Sequence, residues 1–298
     1  MSEAKGTYEF WVKLAAKISV SVAVLLLALK LFAWFESGAS VMLATATDSL
    51  LDLFASSINL LILKVALSPP DQDHQFGHGK AESLGSLFQA AFITGSGMLL
   101  MLNGVDRIIN PVALLKTDLA LGATIATIIA TLSLVAFQQF VVKKTGSLAI
   151  NADMLHYKSD LLLNLAVLIA LILSQQLWPS ADGVFTVAIG GYLLISAFGI
   201  VKQSLDQLMD KELNETDKSK INQIVFSHNQ ALGMHNLKTR QSGPMTFIQL
   251  HLELDEKLPL LDAHNVGESI EFALLKEFEP CEVIIHHDPI SIDNQINH

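Results

Sequence analysis

Residues 39–67, ASVMLATATDSLLDLFASSINLLILKVAL, set the class of this protein. The stretch is long enough to cross a bilayer as a helix, because about 20 apolar residues span a hydrocarbon core of about 30 Å. Two acids, Asp48 and Asp52, interrupt it four residues apart, so both carboxylates project from one side of a helix. A charged side chain at mid-membrane costs about 2.5–3.5 kcal/mol on insertion scales, and such residues are functional by default.

Five further stretches of similar length and apolarity accompany this one. We therefore expect six transmembrane helices, at residues 11–35, 39–67, 80–106, 117–142, 149–175 and 180–202. Lysine and arginine near the span ends predict the orientation, since cytoplasmic loops carry an excess of both. With both termini inside, eight basic residues lie on the inner side and three on the outer side. This asymmetry favours cytoplasmic N and C termini.

The last third of the chain has a different composition. From Lys202 onward there are eight basic and sixteen acidic side chains, a net of −8 out of the total of −10. We expect a transmembrane domain at 1–208 and a cytoplasmic domain at 209–298. The second domain shows helix and strand patterns in the order αββαβ, which predicts a small α+β fold. Its acidic balance argues against a nucleic-acid partner, and the chain has no nucleotide-binding phosphate loop.

A second pair of polar residues lies in the fifth span. His156 and Asp160 are also four residues apart, and a rise of about 1.5 Å per residue places them at the depths of Asp52 and Asp48 respectively. Three carboxylates and one imidazole form a four-coordinate N/O set that zinc accepts. These ligand types also suit iron(II), manganese and cadmium in part, so the residues predict a divalent-metal site without selecting one metal.

Two further groups of potential ligands lie outside the spans. Asp71, Asp73, His74 and His78 crowd the cytoplasmic loop between the second and third spans, either as a metal site or as a solvated polar loop. The C-terminal domain contains seven histidines and an aspartate that follows two of them. These are His228, His235, His251, His264, His286, His287, His298 and Asp288. Spacing alone leaves open whether they are surface residues or a two-metal site.

Together these motifs identify a family. The pair Asp48 and Asp52, the segment His156-Tyr157-Lys158-Ser159-Asp160 and the segment Phe76-Gly77-His78-Gly79-Lys80-Ala81-Glu82 resemble the cation diffusion facilitator family. The similarity is greatest to its bacterial zinc and ferrous-iron efflux pumps and covers essentially the whole chain. It implies a six-helix membrane bundle with a metallochaperone-like cytoplasmic domain.

The resemblance also assigns roles to residues. It implies a transport site at Asp48, Asp52, His156 and Asp160, and a loop site at Asp71, His74 and His78. It implies a binuclear site that joins two cytoplasmic domains, formed by His235, His251, His264, His286, His287 and Asp288, although His287 stands where close relatives have a glutamine. Lys80 and Asp210 match an interlocking salt bridge between protomers, and Leu155 matches a hydrophobic gate.

The function that follows is secondary active transport and not catalysis. We expect a homodimer in the bacterial inner membrane that exports Zn²⁺, and also Cd²⁺ and Fe²⁺, in exchange for protons. Zinc would be both the substrate and a structural or regulatory ion. Two alternatives remain at this point: an exporter selective for ferrous iron, and a membrane-bound metal sensor. No output module that a sensor would use is evident in the sequence.

Overall fold

The computed structural model describes residues 3–37, 40–110, 118–174 and 181–291. The chain divides into two compact units. One runs from Glu9 to Leu205, and the other consists chiefly of the residues from Asp206 onward. The first unit is helical and apolar, and the second contains the only sheet found among the described residues.

Six long helices form the first part of the chain. They are α1 (Glu3–Ser37), α2 (Ser40–Ala66), α3 (Lys80–Ile109), α4 (Asp118–Thr145), α5 (Leu148–Ser174) and α6 (Ala181–Leu208). Within the described ranges, all but α5 are long and apolar enough to cross a membrane. A multi-pass helical bundle is therefore confirmed, whereas the expected count of six spans is not. The first half of α5 carries Asp153, Lys158 and Asp160, which lower its hydropathy.

Helix α5 is packed among the other helices. It contacts α4 and α3 along much of its length and also contacts α2, which in turn packs on α3. Ala149, Ile150 and Ala152 have no exposed surface. Asp153, His156 and Ser159 in this half of α5 are buried as well, and their protein surroundings reduce the cost of placing them among apolar helices.

Glycines bring α3 and α6 into backbone contact. A Cβ atom on Gly104 would lie 2.9 Å from the carbonyl oxygen of Gly183, and one on Gly190 would lie 2.9 Å from that of Gly97. Small residues at matching positions allow helices to approach this closely. Gly95, on the same helix, has nothing within 4 Å of the corresponding position.

The second unit is the expected αββαβ domain. Its elements are α7 (Glu215–Phe226), β1 (Gly233–Ser242), β2 (Met245–Asp255), α8 (Leu260–Glu277) and β3 (Cys281–Ile290). The sheet order is β1-β2-β3, with β1 antiparallel to β2 and β2 parallel to β3. Helix α8 makes the crossover that a parallel strand pair requires. The prediction of a small α+β domain is confirmed.

Alternation along β2 separates the core of this domain from its polar face. Leu250, Leu252 and Leu254 are buried and belong to one apolar cluster with residues of α7 and α8, such as Ile221 and Ile270. Side chains that alternate with these leucines point to the other face of the sheet, because successive residues of a strand project in opposite directions. His251 and Glu253 occupy that second face.

Candidate metal centres

Helices α2 and α5 bring three potential ligands together inside the first unit. His156 Nε2 lies 3.1 Å from Asp52 Oδ1 and 3.8 Å from Asp160 Oδ2. One ligand atom from each residue lies within 4.8 Å of the other two. His156 is 6% exposed, and both carboxylates are partly exposed. The imidazole is therefore the buried member of the group, and the two carboxylates lie on the exposed side of the group.

These separations suit a zinc ion. Zinc binds nitrogen and carboxylate oxygen at about 2.0–2.2 Å, and the edges of such a tetrahedron measure about 3.3–3.6 Å. The observed pairs, 3.1 and 3.8 Å, lie on either side of that range. The three atoms can therefore become ligands of one ion with small side-chain movements, and a fourth position stays available.

The contact between Asp52 and His156 has the length of a hydrogen bond. A carboxylate oxygen and an imidazole nitrogen 3.1 Å apart form a hydrogen bond only if one of them carries hydrogen. An ion bound to both atoms would take the place of that hydrogen. Metal and proton therefore compete for the same nitrogen atom.

Other predicted residues of this region lie around the cluster. Asp48 is exposed, and its carboxylate is not part of the three-residue group. Its neighbour Ser49 is buried and accepts a hydrogen bond of 2.6 Å from Lys30 Nζ on α1. Leu155 is packed in an apolar cluster formed by α3, α5 and α6. The ammonium of Lys158 lies 5.2 Å from the ring centre of Tyr192 on α6.

Sequence reasoning missed two buried acids. Asp153 lies one turn before His156, and Glu82 lies near the start of α3. Glu82 Oε1 accepts a 2.5 Å hydrogen bond from Ser147 Oγ and one of 3.4 Å from the backbone N–H of Ala149, at the start of α5. The available signal for Asp153 was its position seven residues before Asp160, which places both on a similar face of the helix.

The predicted loop site is assembled around Asp71. Asp71 Oδ1 lies 3.2 Å from His74 Nδ1, and Asp71 Oδ2 lies 3.2 Å from His78 Nε2. The two imidazole rings are 4.7 Å apart. The backbone N–H of His74 donates to Asp71 and lowers the pKa of this carboxyl group. The carboxylate form required of a ligand is therefore favoured. Asp73 contributes its backbone N–H to Asp71, and its carboxylate lies outside the group.

Strand register assembles a third group on the polar face of the sheet. His235 on β1 is paired with His251 on β2, which is paired with His286 on β3. A bulge between His235 and Lys238 sets this register in β1. The three rings follow one another at centroid distances of 5.0 and 4.7 Å. Three imidazoles from three strands therefore lie in one row.

Asp288 lies at the centre of this row. Its Oδ2 is 2.8 Å from His251 Nδ1 and 3.3 Å from His235 Nε2, while its Oδ1 is 3.2 Å from His286 Nε2. The hydrogen bond with His251 is the main cause that lowers the pKa of the Asp288 carboxyl group. Glu253, which the sequence did not single out, lies 2.9 Å from His235 Nδ1. The carboxylate of Asp288 can thus bind metal through either oxygen.

The remaining histidines are placed differently. His287 points to the helix-covered face, where its Nε2 lies against Gly267 of α8 and has no hydrogen-bond partner among the described residues. Burial, with a smaller effect of nearby His264, lowers the pKa of His287. His264 itself is exposed on α8. His228 lies after α7, away from the three-strand row, and His298 lies outside the described residues.

Cys281 and the two residues predicted to interlock protomers also have defined surroundings. Burial raises the pKa of the Cys281 thiol to about 12, so the free thiol stays protonated at neutral pH. Asp210 is exposed, and its Oδ1 lies 3.6 Å from Arg240 Nη1. Lys80 is the first residue of α3 and is partly exposed.

Comparisons with known proteins agree with this architecture. A family described as "Cation efflux transmembrane domain" matches residues 16–209, and one described as "Cation efflux protein, cytoplasmic domain" matches residues 213–290. The cation-efflux pump FieF of Shewanella oneidensis is 45% identical over 286 residues, which cover 96% of this chain and 97% of that protein. FieF of Pectobacterium carotovorum is 44% identical over 284 residues, which cover 95% of each protein.

A solved structure of the zinc form of CzrB aligns at 30% identity with 27% of this chain and 92% of its own, with a TM-score of 0.26. This structural likeness is too slight to argue from. The two family matches and the near-complete coverage of the relatives are sufficient. The chain belongs to the cation efflux, or cation diffusion facilitator, family, whose members are membrane transporters of metal cations and not enzymes.

Proposed function

We propose that this protein exports zinc from the cytoplasm in exchange for protons, with Cd²⁺ and Fe²⁺ as further substrates. The observation that carries the proposal is the group formed by Asp52, His156 and Asp160, whose ligand atoms lie within 4.8 Å of one another. In a family of cation efflux transporters, such a group among membrane helices is the natural binding site for the cargo. Asp48, one turn before Asp52, would supply a fourth ligand after a change of rotamer.

The ligand types favour zinc over harder ions. An imidazole nitrogen suits zinc and cadmium, while sites made only of oxygen suit magnesium, manganese and calcium. His156 is the group's most buried member and contacts both acids, so its nitrogen is central to the site. We therefore place zinc and cadmium ahead of iron(II), and a ferrous-iron-selective exporter remains the alternative within this class.

Exchange with protons follows from competition at one atom. Metal binding requires His156 Nε2 to be free of hydrogen, whereas a hydrogen bond between this nitrogen and Asp52 requires a hydrogen between the two atoms. Because metal affinity falls when the ligands are protonated, the pH difference across an energised membrane would favour binding on the less acidic side and release on the more acidic side. A site that faces the cytoplasm would release protons as it binds metal. When it faces the outside, protons would displace the ion.

We further propose that all six helices cross the inner membrane, with both termini in the cytoplasm and domains at 1–208 and 209–298. Helix α5 has 27 residues and a length of about 40 Å at 1.5 Å per residue, more than a bilayer core requires. Its buried Asp153, His156 and Ser159 face protein and not lipid. The excess of basic residues at the inner ends supports the orientation.

The cytoplasmic domain would regulate transport as part of a homodimer. Two acidic domains repel each other, and zinc held by His235, His251 and Asp288 would offset this repulsion. His286 and His264 would complete a second ion site in the assembled dimer, which His287 would join only after turning away from α8. The remaining family-based roles belong to the same proposal: metal capture by Asp71, His74 and His78, an interlock by Lys80 and Asp210, and a gate at Leu155.

Transport by purified protein in liposomes tests this proposal. Zinc-sensitive and pH-sensitive dyes inside the vesicles would record both fluxes while metal and pH are varied independently. We expect an outward-directed metal flux coupled to an opposite proton flux, larger for zinc and cadmium than for iron(II). Zinc flux without proton movement would contradict the exchange. Flux of iron(II) alone would support the iron-selective alternative, and metal binding without any flux would support a sensor.

A further inference from the structure

A buried acid that is not part of the metal group lies one turn before it. Asp153 on α5 has no exposed surface and precedes His156 by three residues, a rise of about 4.5 Å along the helix. An ionised carboxylate without hydrogen bonds would be very costly in such surroundings. The hydrogen-bond partners of Asp153 therefore indicate its role.

Three neutral groups donate hydrogen bonds to Asp153, each from a different helix. Gln89 Nε2 on α3 donates to Oδ1 over 3.0 Å, and Ser56 Oγ on α2 donates to the same oxygen over 3.4 Å. Gln138 Nε2 on α4 donates to Oδ2 over 2.7 Å. Both oxygens of the Asp153 carboxyl group are therefore engaged in hydrogen bonds.

Further hydrogen bonds close this arrangement into a ring that includes α1. Gln138 Nε2 also donates to Ser19 Oγ over 2.9 Å, and the hydroxyl oxygen of Tyr157 lies 3.4 Å from the backbone oxygen of Ser19. Tyr157 and Ser56 are joined by a hydrogen bond of 2.7 Å. All six polar residues of this network are buried. The network therefore joins five helices, α1 to α5, and Asp153 on α5 accepts directly from α2, α3 and α4.

The network also contains groups that are not fully satisfied. The amide oxygens of Gln89 and Gln138 are buried and have no hydrogen-bond partner among the described residues. A buried acid held by neutral groups adds little to stability, since apolar residues of similar volume often serve as well. A purely structural role thus explains the network poorly. Because the network lies close to His156, a role in the transport site explains it better.

We propose that Asp153 is a positioning residue of the transport site, which couples the ligand-bearing helix α5 to α1, α2, α3 and α4. When the bundle changes the side to which the site is open, these helices would carry His156 and Asp160 with them. This inference rests on the proposed transport function, because it assigns Asp153 to the movement and not to metal binding. If Asp153 has this role, variants of the network should lose more of their maximal flux than of their apparent affinity for zinc.

The test uses the full-length protein in liposomes and compares Asp153→Leu, Asp153→Asn and Gln138→Leu with wild type. We expect Asp153→Leu and Gln138→Leu to lower maximal zinc flux at least tenfold while KM changes less than threefold. Asp153→Asn keeps one acceptor oxygen and should restore part of the flux. Gln139→Leu is the matched control, because Gln139 is exposed on the same helix and should behave as wild type.

A double variant provides a second measurement, which tests the coupling between Asp153 and Gln138. If Asp153 and Gln138 act through one network, the double variant Asp153→Asn/Gln138→Leu should be no slower than the worse single variant. Wild-type flux in Asp153→Leu, or flux that only follows the melting temperature across the variants, would overturn the role of Asp153. Absence of zinc flux from the wild-type protein would instead overturn the proposed function.

Discussion

His156 Nε2 on α5 lies 3.1 Å from Asp52 Oδ1 on α2, and this contact joins two helices through a shared hydrogen. A metal ion that binds both atoms must replace that hydrogen. In the proposed exchange, metal binding would therefore release a proton at the contact between α2 and α5. The atoms that would exchange metal for proton are thus carried by two different helices, α2 and α5.

Replacing Asp52 should abolish transport without unfolding the protein. Asp52→Asn keeps the shape of the side chain and removes the charge that binds metal, so we expect zinc flux to fall at least a hundredfold. Asp106→Asn, an acid at the end of α3 outside the metal groups, is the control. Flux in liposomes and size-exclusion profiles in detergent are the measurements. Normal flux in Asp52→Asn would rule out this carboxylate as a ligand.

Replacing His156 by aspartate should change both selectivity and pH dependence. An all-oxygen site is harder and should prefer manganese or iron(II) over zinc. The imidazole nitrogen that must lose its proton to bind metal is lost as well, so the rise of zinc flux with cytoplasmic pH should become shallower. Flux of the three metals between pH 6 and 8 checks both effects. If selectivity and pH profile stay as in wild type, His156 does not bind the ion.

Lys30 should weaken zinc binding in the wild-type protein. Its Nζ donates to Ser49 Oγ over 2.6 Å, and its charge acts on the carboxylates of Asp48 and Asp160. Because like charges repel, Lys30→Met should bind zinc about tenfold more tightly, which corresponds to about 1.4 kcal/mol. Lys30→Arg keeps the charge and should resemble wild type.

Calorimetric titration should measure this effect in a protein whose other two sites are disabled by His74→Ala and His251→Ala. Lys17→Met, an exposed lysine on the same helix, is a further control. Equal zinc affinity in Lys30→Met and wild type would show that this ammonium does not act on the transport site.

Zinc should stabilise the isolated cytoplasmic domain, which has its own apolar core. Mass action gives about 2.7 kcal/mol when free zinc is a hundredfold above its dissociation constant. His251→Ala combined with Asp288→Ala should remove most of this gain and weaken zinc-dependent dimerisation, whereas His228→Ala should not. Differential scanning calorimetry and sedimentation are suitable measurements. The same melting temperature with zinc and with chelator would contradict a regulatory site.

The glycines between α3 and α6 should be intolerant of side chains. A Cβ at position 104 would lie 2.9 Å from the backbone oxygen of Gly183, so Gly104→Ala should destabilise the bundle by about 1–3 kcal/mol through overpacking. Gly95→Ala meets open space on the same helix and should leave thermal stability in detergent within about 0.5 kcal/mol of wild type. Equal melting temperatures of the two variants would contradict the close contact.

Several features of the fold were predictable because their causes are local. Five membrane helices follow from apolar runs, and the αββαβ order follows from period-two and helical patterns separated by turns. The four-residue spacing of His156 and Asp160 fixes their common face whatever surrounds the helix. The face of the sheet on which His287 lies was also predictable, since alternation along a strand places it opposite His286 and Asp288.

The sequence by itself determined the five apolar helices, the spacing of the polar pairs on α2 and α5 and the class of the C-terminal domain. Only the tertiary structure decided which helices are neighbours, because apolar helix surfaces carry little pairing information. It brought Asp52 to His156 while Asp48 stayed apart. It also placed Asp153 in a hydrogen-bond network that joins five helices. In the sheet, a bulge after His235 set the register that brings three strands to Asp288, and such a bulge depends on the strand pairing itself.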